Sequence, residues 1–424
     1  MTATTARERE AAGAALLTLT LCFLTAVIEG IDLQSMGLAA PKMRAEFALS
    51  AQQLGWVLTA SPLGLFFGAF LGGRLADQFG RKFALLFSMV VFGVFQLSTV
   101  VAPGYEALVG IRFLCGLGLG GALPNLVALT SEASGGRNSI LNVVITAAGM
   151  PTGGSIASFI VFVGASGRVE YDWRVLFYIG GIAPLLLAVA MAFLLPESRL
   201  FREEKAAGSS RNIKTVKVLF GGGRAPATTS LWIAFFFTTL VTYLLLNWLP
   251  VLMKSRGFSS KDAFLIQLMF NVGSAVGSIA LGWVMQQRPS RWVLLLSYAA
   301  LAASLAWFMA GHTVAMAAMA ITAVGSFLLG VQYILYGLSP GYYPREARGT
   351  GTGAAVAVGR LGSAVGPNLG GWLVGMGLSS TQVLQWLLPV TGLAALAALL
   401  LMLCRRGEDG AAETAPAGSA APHT

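Results

Sequence analysis

Cys22-Phe-Leu-Thr-Ala-Val-Ile-Glu-Gly-Ile-Asp-Leu-Gln-Ser-Met-Gly-Leu-Ala-Ala40 decides the class of this protein. The stretch lies in an apolar run long enough to cross a bilayer as a helix. It nevertheless carries Glu29 and Asp32, the only charged residues between Ala11 and Pro41. A carboxylate at the bilayer centre costs about 2.5–3.5 kcal/mol on insertion scales and is rarely kept there without a task. Three residues apart, the two acids share one helix face, with Cβ atoms about 5–6 Å from each other. Two carboxylates that close resist ionising together, so at least one is expected to hold a proton. The pair points to proton-coupled transport, and Asp32 is the first candidate for the proton, with Glu29 beside it.

The rest of the chain has the same character. Of 424 residues, 56% are hydrophobic and 11% charged, and the mean hydropathy is +0.73. A soluble domain carries about 25% charged residues, so this chain is built for lipid. Apolar segments long enough to span recur twelve times, roughly at 14–39, 52–73, 83–102, 106–129, 139–163, 174–195, 229–251, 264–286, 292–310, 314–337, 350–375 and 382–403. Continuous apolar runs, without short alternating segments, favour helices over a membrane β-barrel. The expected fold is an all-α membrane protein of twelve transmembrane helices.

Orientation follows from Lys and Arg. With the N-terminus inside, cytoplasmic segments hold 19 of the 28 basic residues, outside loops hold 7, and Arg112 and Arg360 lie within spans. The largest group, Arg199, Arg202, Lys205, Arg211, Lys214, Lys217 and Arg224, falls between spans 6 and 7. This bias satisfies the positive-inside rule with both termini cytoplasmic, in the inner membrane. It also accounts for the net charge of +10 without nucleic acid as a partner. Met1 to Gly13 mixes Arg7 and Arg9 with Glu8 and Glu10, and the apolar run after it is too long for the core of a cleavable signal. Cys22, Cys115 and Cys404 fall within or at the ends of spans and read as small apolar fillers. With only His312 and His423 as histidines, no metal site is expected, and no cofactor.

The spans form two halves, 14–196 and 229–404, joined by a polar cytoplasmic linker at 197–228. They are flanked by a short tail at 1–13 and by an Ala-, Gly- and Pro-rich tail at 405–424 that reads as disordered. The halves repeat. Gly72 and Arg81 match Gly282 and Arg291, and Arg137 matches Arg348. Parallel six-helix repeats build one large class of secondary transporter, with the substrate site between the halves at mid-membrane.

Between spans 2 and 3 the chain reads Gly73-Arg-Leu-Ala-Asp-Gln-Phe-Gly-Arg-Lys82. It resembles the hallmark loop of the major facilitator superfamily, G-x-L-A-D-x-x-G-R-K, and matches at seven positions. Gly73 and Gly80 suit a tight turn. Asp77 suits the positive end of a neighbouring helix, which the resemblance implies is span 11, and Arg81 and Lys82 hold the loop on the cytoplasmic side. The matching segment from Gly282 to Arg291 lacks the acid, so gating contacts are expected to be stronger in the first half. Glu132 and Arg137, flanking the loop between spans 4 and 5, read as a conformational latch with Arg81.

Span 4, IRFLCGLGLGGALPNLVALTSE, has Arg112 as its only charge before Glu132. Arg112 either pairs with Asp32, organises the proton site or meets an anionic substrate. Span 11, TGAAVAVGRLGSAVGPNLGGW, carries Arg360 with no acid nearby in sequence. An unpaired buried guanidinium is expensive, and its planar fork suits a carboxylate. Arg360 therefore pairs across the centre with Glu29 or Asp32, or awaits an anionic substrate, the preferred reading.

Taken together, Glu29-Gly-Ile-Asp-Leu-Gln34, Arg112, Gly116 to Asn125 and Arg360 resemble the aromatic acid:proton symporter family of that superfamily, over the whole helical part of the chain. The commoner family form begins with Asp where this chain has Glu29. The E-G-x-D-L-Q form, with ALPNLVALTSEA and AVAVGRLG, is most like transporters of 3-(3-hydroxyphenyl)propionate. The resemblance implies import of an aromatic carboxylic acid with protons, with Glu29, Asp32, Arg112 and Arg360 as the transport residues, in a protein that works as a monomer. Tyr243 with Asn247, and Gln332 with Tyr336, are each four apart and share a helix face; they suit ring stacking and hydrogen bonds to ring substituents, or interhelical contact. Drug export is the competing reading, but two intramembrane arginines favour an anion. A membrane sensor would typically add a sizeable cytoplasmic domain, and no nucleophile–base pair suggests an enzyme.

Overall fold

Residues 2–122, 125–126, 129–130, 145–166, 172–195, 197, 219–287, 291–344 and 348–404 are described by the computed structural model. They are helical almost throughout. The first half contributes α1 (Thr2–Glu46), α2 (Ala51–Phe79), α3 (Arg81–Ser98), α4 (Tyr105–Gly120), α5 (Gly149–Ser166) and α6 (Arg174–Leu194). The second contributes α7 (Ala225–Ser255), α8 (Ser260–Gln287), α9 (Arg291–Ala310), α10 (Val314–Leu338), α11 (Arg348–Gly375) and α12 (Ser380–Leu403). Among the described residues, ten helices are long and apolar enough to cross a membrane. The other two are α4, described over 16 residues, and the glycine-rich α11.

Several helices outrun the apolar segments that announce them. Helix α1 continues back to Thr2, through the stretch expected to be a tail, and forward to Glu46 with Pro41 inside it. Helix α7 begins at Ala225 rather than after the linker. The apolar pattern marks only the part of a helix that meets lipid. The helical backbone continues while its own hydrogen bonds can be made.

Local chemistry sets the helix ends. Ser50 opens α2 with a capping box: its hydroxyl accepts from the Gln53 amide, and the Gln53 side chain accepts from the Ser50 amide. Ser379 and Gln382 repeat the device at α12. Between α2 and α3 the chain turns on Gly80 alone, at φ 99°, a conformation that favours glycine. Gly73, expected to share that turn, lies within α2 instead, with open space around it.

The helix contacts repeat from half to half. In the first half α1 packs on α5, α2 on α4, and α3 on α6; in the second α7 packs on α11, α8 on α10, and α9 on α12. Each pair recurs six helices later, as the repeat in the sequence requires. Among the described residues the halves meet chiefly through α1 with α7, α2 with α11, and α5 with α8. The outside is apolar, with Phe193, Leu186, Trp283 and Leu296 all more than 60% exposed. Exposed side chains of that size are at home in lipid and not in water.

Candidate functional site

The two acids of α1 have different surroundings, although both are completely buried. Asp32 is ion-paired with Arg112 of α4. Arg112 Nη1 and Nη2 each donate to Asp32 Oδ1 at 3.0 Å, and Nη2 reaches Oδ2 at 3.4 Å. Three further groups surround the guanidinium, although its Nε has no hydrogen-bond partner. Nη1 donates to Gln96 Oε1 of α3 at 2.6 Å and lies 3.6 Å from Cys115 Sγ, while the guanidinium faces the Phe177 ring of α6 at 5.7 Å. Cys115 in turn donates to Gln96 Oε1 at 3.2 Å, so it is a member of this polar cluster and not only a filler. Charge-assisted, multiply donated pairs of this kind are the strong ones.

Glu29 has no such partner. Neither carboxyl oxygen accepts a hydrogen bond. Its electrostatic neighbours are Arg360 of α11, in the other half, and Asp32. Arg360 is half-buried, and its Nη1 donates to the Tyr243 hydroxyl of α7 at 3.3 Å. Among the described residues it has no carboxylate within ion-pair distance. Of the two intramembrane arginines, one is neutralised within its own half; the other carries a phenol and faces an acid without bonds.

Around Arg360 the walls are aromatic and amide. The Tyr336 ring of α10 meets Phe235 of α7 edge-on at 5.0 Å between centroids, and Tyr333 lies 6.3 Å from it. The Gln332 side chain lies beside the Tyr336 hydroxyl, and its side-chain oxygen Oε1 is buried without a partner. Tyr243, Tyr336 and Glu29 all interact electrostatically with Arg360, which brings together three of the pocket residues expected from sequence. Asn247 is placed differently: its amide is taken up by the Tyr243 carbonyl of its own helix at 2.9 Å.

The loop residues are only partly visible. The Lys82 amide donates to Glu197 Oε1 at 3.1 Å, and Lys82 Nζ donates to the Ala192 carbonyl at 2.7 Å, tying the start of α3 to the end of α6. Arg81 opens α3. Glu132, Arg137 and the side chain of Asp77 lie outside the described residues.

Sequence reading missed Gln96, Phe177, Tyr333, Gln267 and Asn271. Gln96 is a lone amide near the end of an apolar helix, and Gln267 and Asn271 sit four apart on α8; both patterns were available as signals. Phe177 and Tyr333 gave none, since aromatic residues are common in every span.

A sequence profile described as Major Facilitator Superfamily matches residues 22–367. Over 387 residues the chain is 40% identical to a 3-(3-hydroxy-phenyl)propionate transporter of Escherichia coli (strain K12), covering 91% of this chain and 94% of the relative. It is 32% identical over 421 residues to a 4-hydroxybenzoate transporter of Pseudomonas aeruginosa, covering 92% and 93%. Among solved structures, a D-xylose-proton symporter superposes with a TM-score of 0.72 at 17% identity, over 91% of this chain and 97% of that one.

Proposed function

This chain belongs to the Major Facilitator Superfamily, and from that premise we propose that it imports a hydroxylated aromatic carboxylic acid, of the 3-hydroxyphenylpropionate or hydroxybenzoate type, together with a proton. It is a multi-pass membrane transporter. In this reading twelve helices cross the inner membrane as a monomer, with both termini cytoplasmic and the Glu46 end of α1 facing outward. The segment 197–224, ending where α7 begins, is the cytoplasmic linker between the halves. Gly80, Arg81, Lys82 and Asp77 steady the cytoplasmic side, with Glu132 and Arg137.

One observation carries the proposal: Arg112 is neutralised by Asp32 within the first half, whereas Arg360, among the described residues, has the Tyr243 and Tyr336 phenols and the bondless Glu29 carboxyl around it and no ion pair. The free prongs of the Arg360 fork suit a substrate carboxylate. Phe235, Tyr333 and Tyr336 give it ring surfaces. The unpartnered Gln332 carbonyl suits a ring hydroxyl, since a buried acceptor left empty costs about 1–3 kcal/mol.

The same asymmetry supports a choice between the two acids for the proton. Asp32 is taken up in its ion pair with Arg112. Glu29 carries the proton, because an ionised carboxylate with no hydrogen bond in a closed interior is costly. This moves the proton from Asp32, the first candidate from sequence, to its neighbour. With substrate on Arg360 and a proton on Glu29, no charge at the centre stands alone and the halves can rock. With both gone, Glu29 and Arg360 attract each other across the halves and oppose uncoupled movement.

The test is an uptake competition panel in cells, with and without a protonophore. Hydroxyphenylpropionates and hydroxybenzoates should compete with labelled 3-hydroxyphenylpropionate better than phenylacetates and far better than non-aromatic acids, and the protonophore should collapse accumulation. Equal competition by non-aromatic acids, or accumulation indifferent to the protonophore, would contradict it.

A further inference from the structure

Gln34, the last residue of the acid-bearing stretch of α1, takes no part in the charge arrangement above. It lies two residues beyond Asp32, and its side chain leaves α1 on another face, toward the second half. There it is the centre of a buried amide cluster. Gln34 Nε2 donates to the Leu246 carbonyl of α7 at 3.4 Å. Gln34 Oε1 accepts twice from α8, from Gln267 Nε2 at 3.1 Å and Asn271 Nδ2 at 2.8 Å. Asn271 Nδ2 also donates to Ser158 Oγ of α5 at 3.1 Å. All four side chains are at most 2% exposed.

The cluster joins α1 to α7 and α8, and α5 to α8; α1 with α7 and α5 with α8 are two of the main helix pairs between the halves. The halves also meet where α2 packs on α11, and there the Thr59 hydroxyl of α2 donates to the Ala364 carbonyl of α11 at 3.0 Å. Glycines clear the space: a Cβ on Gly154 would meet Asn271 Oδ1 at 2.7 Å, and one on Gly37 would meet the Asn247 Cα at 2.9 Å.

We infer that Gln34, Gln267, Asn271 and Ser158 form a polar latch that shuts the Glu46 end of the molecule and must part once in each transport cycle. Amides suit an interface that opens repeatedly. Each hydrogen bond nets only about 0.5–1.5 kcal/mol, because water takes its place when the halves separate. Several together hold firmly, and none costs much to break in a wet gap. Asn271 Nδ2 also donates to the backbone carbonyl of Gln267 at 3.1 Å, whereas the side-chain oxygen Oε1 of Gln267 is buried without a partner, so the cluster is short of full satisfaction. Gln34 thereby acts as a positioning residue: it ties the turn of α1 that bears Asp32 to the gate, through which events at the acids reach the seal.

The test reads the gate without substrate, so it stands or falls apart from the aromatic-acid reading. In a background carrying Cys404→Ser, since that native cysteine is half-buried while Cys22 and Cys115 are buried, a cysteine at Thr59→Cys, in the seal, is labelled in intact cells by a membrane-impermeant maleimide. Gln34→Leu and Asn271→Leu should each raise the labelling rate about tenfold, the population shift expected when two or three such bonds are lost. Ser158→Ala removes one bond and should raise it about threefold; this single-hydroxyl variant keeps the test sound if the larger changes impair folding. A second cysteine at Ala357→Cys, one turn before Arg360 toward the other end, should be labelled no faster in inverted vesicles. Unchanged Thr59→Cys labelling in all three variants would overturn the proposal. So would faster labelling at both ends, which would mean general loosening.

Discussion

Asp32→Asn is the sharpest probe of the charge arrangement. The substitution keeps the volume and an acceptor oxygen but removes the negative charge. Arg112, 1% exposed, is then left with two neutral oxygens, that of Gln96 and that of the introduced amide. At an effective dielectric of about 20, unit charges about 4 Å apart attract by about 4 kcal/mol, and removing one partner of a buried pair typically costs about 3–5 kcal/mol. For a cooperative unit the size of one half, that corresponds to a fall in Tm of about 10 °C. Removing both charges, as in Asp32→Asn with Arg112→Met, should restore at least half of the loss, because a buried pair replaced as a unit is often nearly neutral. Dye-monitored unfolding of the purified carrier in detergent gives the four Tm values of the double-mutant cycle. A Tm for Asp32→Asn within about 2 °C of the wild type, or a double variant at the sum of the single losses, would refute the reasoning.

Other expectations can be checked independently. Arg360→Met should raise KM for the aromatic acid by about thirtyfold or more with little change in Tm, since a fork held by one phenol contributes more to binding than to the fold; competition uptake beside thermal unfolding measures both. Gln332→Leu should cut the preference for 3-hydroxyphenylpropionate over 3-phenylpropionate about tenfold by removing the acceptor for the ring hydroxyl, read from competition constants for the matched pair. Gly80→Ala forces a side chain into φ 99° at the only residue between α2 and α3, and should cost about 1–3 kcal/mol, visible as a lower Tm.

Much of the fold was legible because lipid imposes simple rules. Apolar runs mark helices, and a repeat spaced by about 210 residues appears again in helix contacts that recur six helices on. The ends were not legible, because α1 and α7 extend past the lipid-facing stretch on backbone hydrogen bonding alone. At the site, the residue types were readable and the pairing was not. Two acids and two arginines admit several partnerships, and only their placement shows Arg112 taken by Asp32 while Glu29 and Arg360 are left facing each other. Asn247 illustrates the same limit: sharing a face with Tyr243 also places its amide within reach of the Tyr243 carbonyl, and that nearby acceptor wins. Gln34 was visible only as a letter in a motif, since its partners come from two helices of the other half.

If Glu29 carries the proton and Asp32 is its ion-paired neighbour, the two acids have separable roles despite lying three residues apart. Proteoliposomes holding Glu29→Gln, assayed with labelled 3-hydroxyphenylpropionate under an imposed inward proton gradient, separate them most directly. The permanently neutral side chain should allow exchange of internal for external substrate at a substantial rate while abolishing gradient-driven accumulation. Accumulation by Glu29→Gln to the wild-type level would contradict the assignment of the proton to Glu29 and the coupling mechanism built on it.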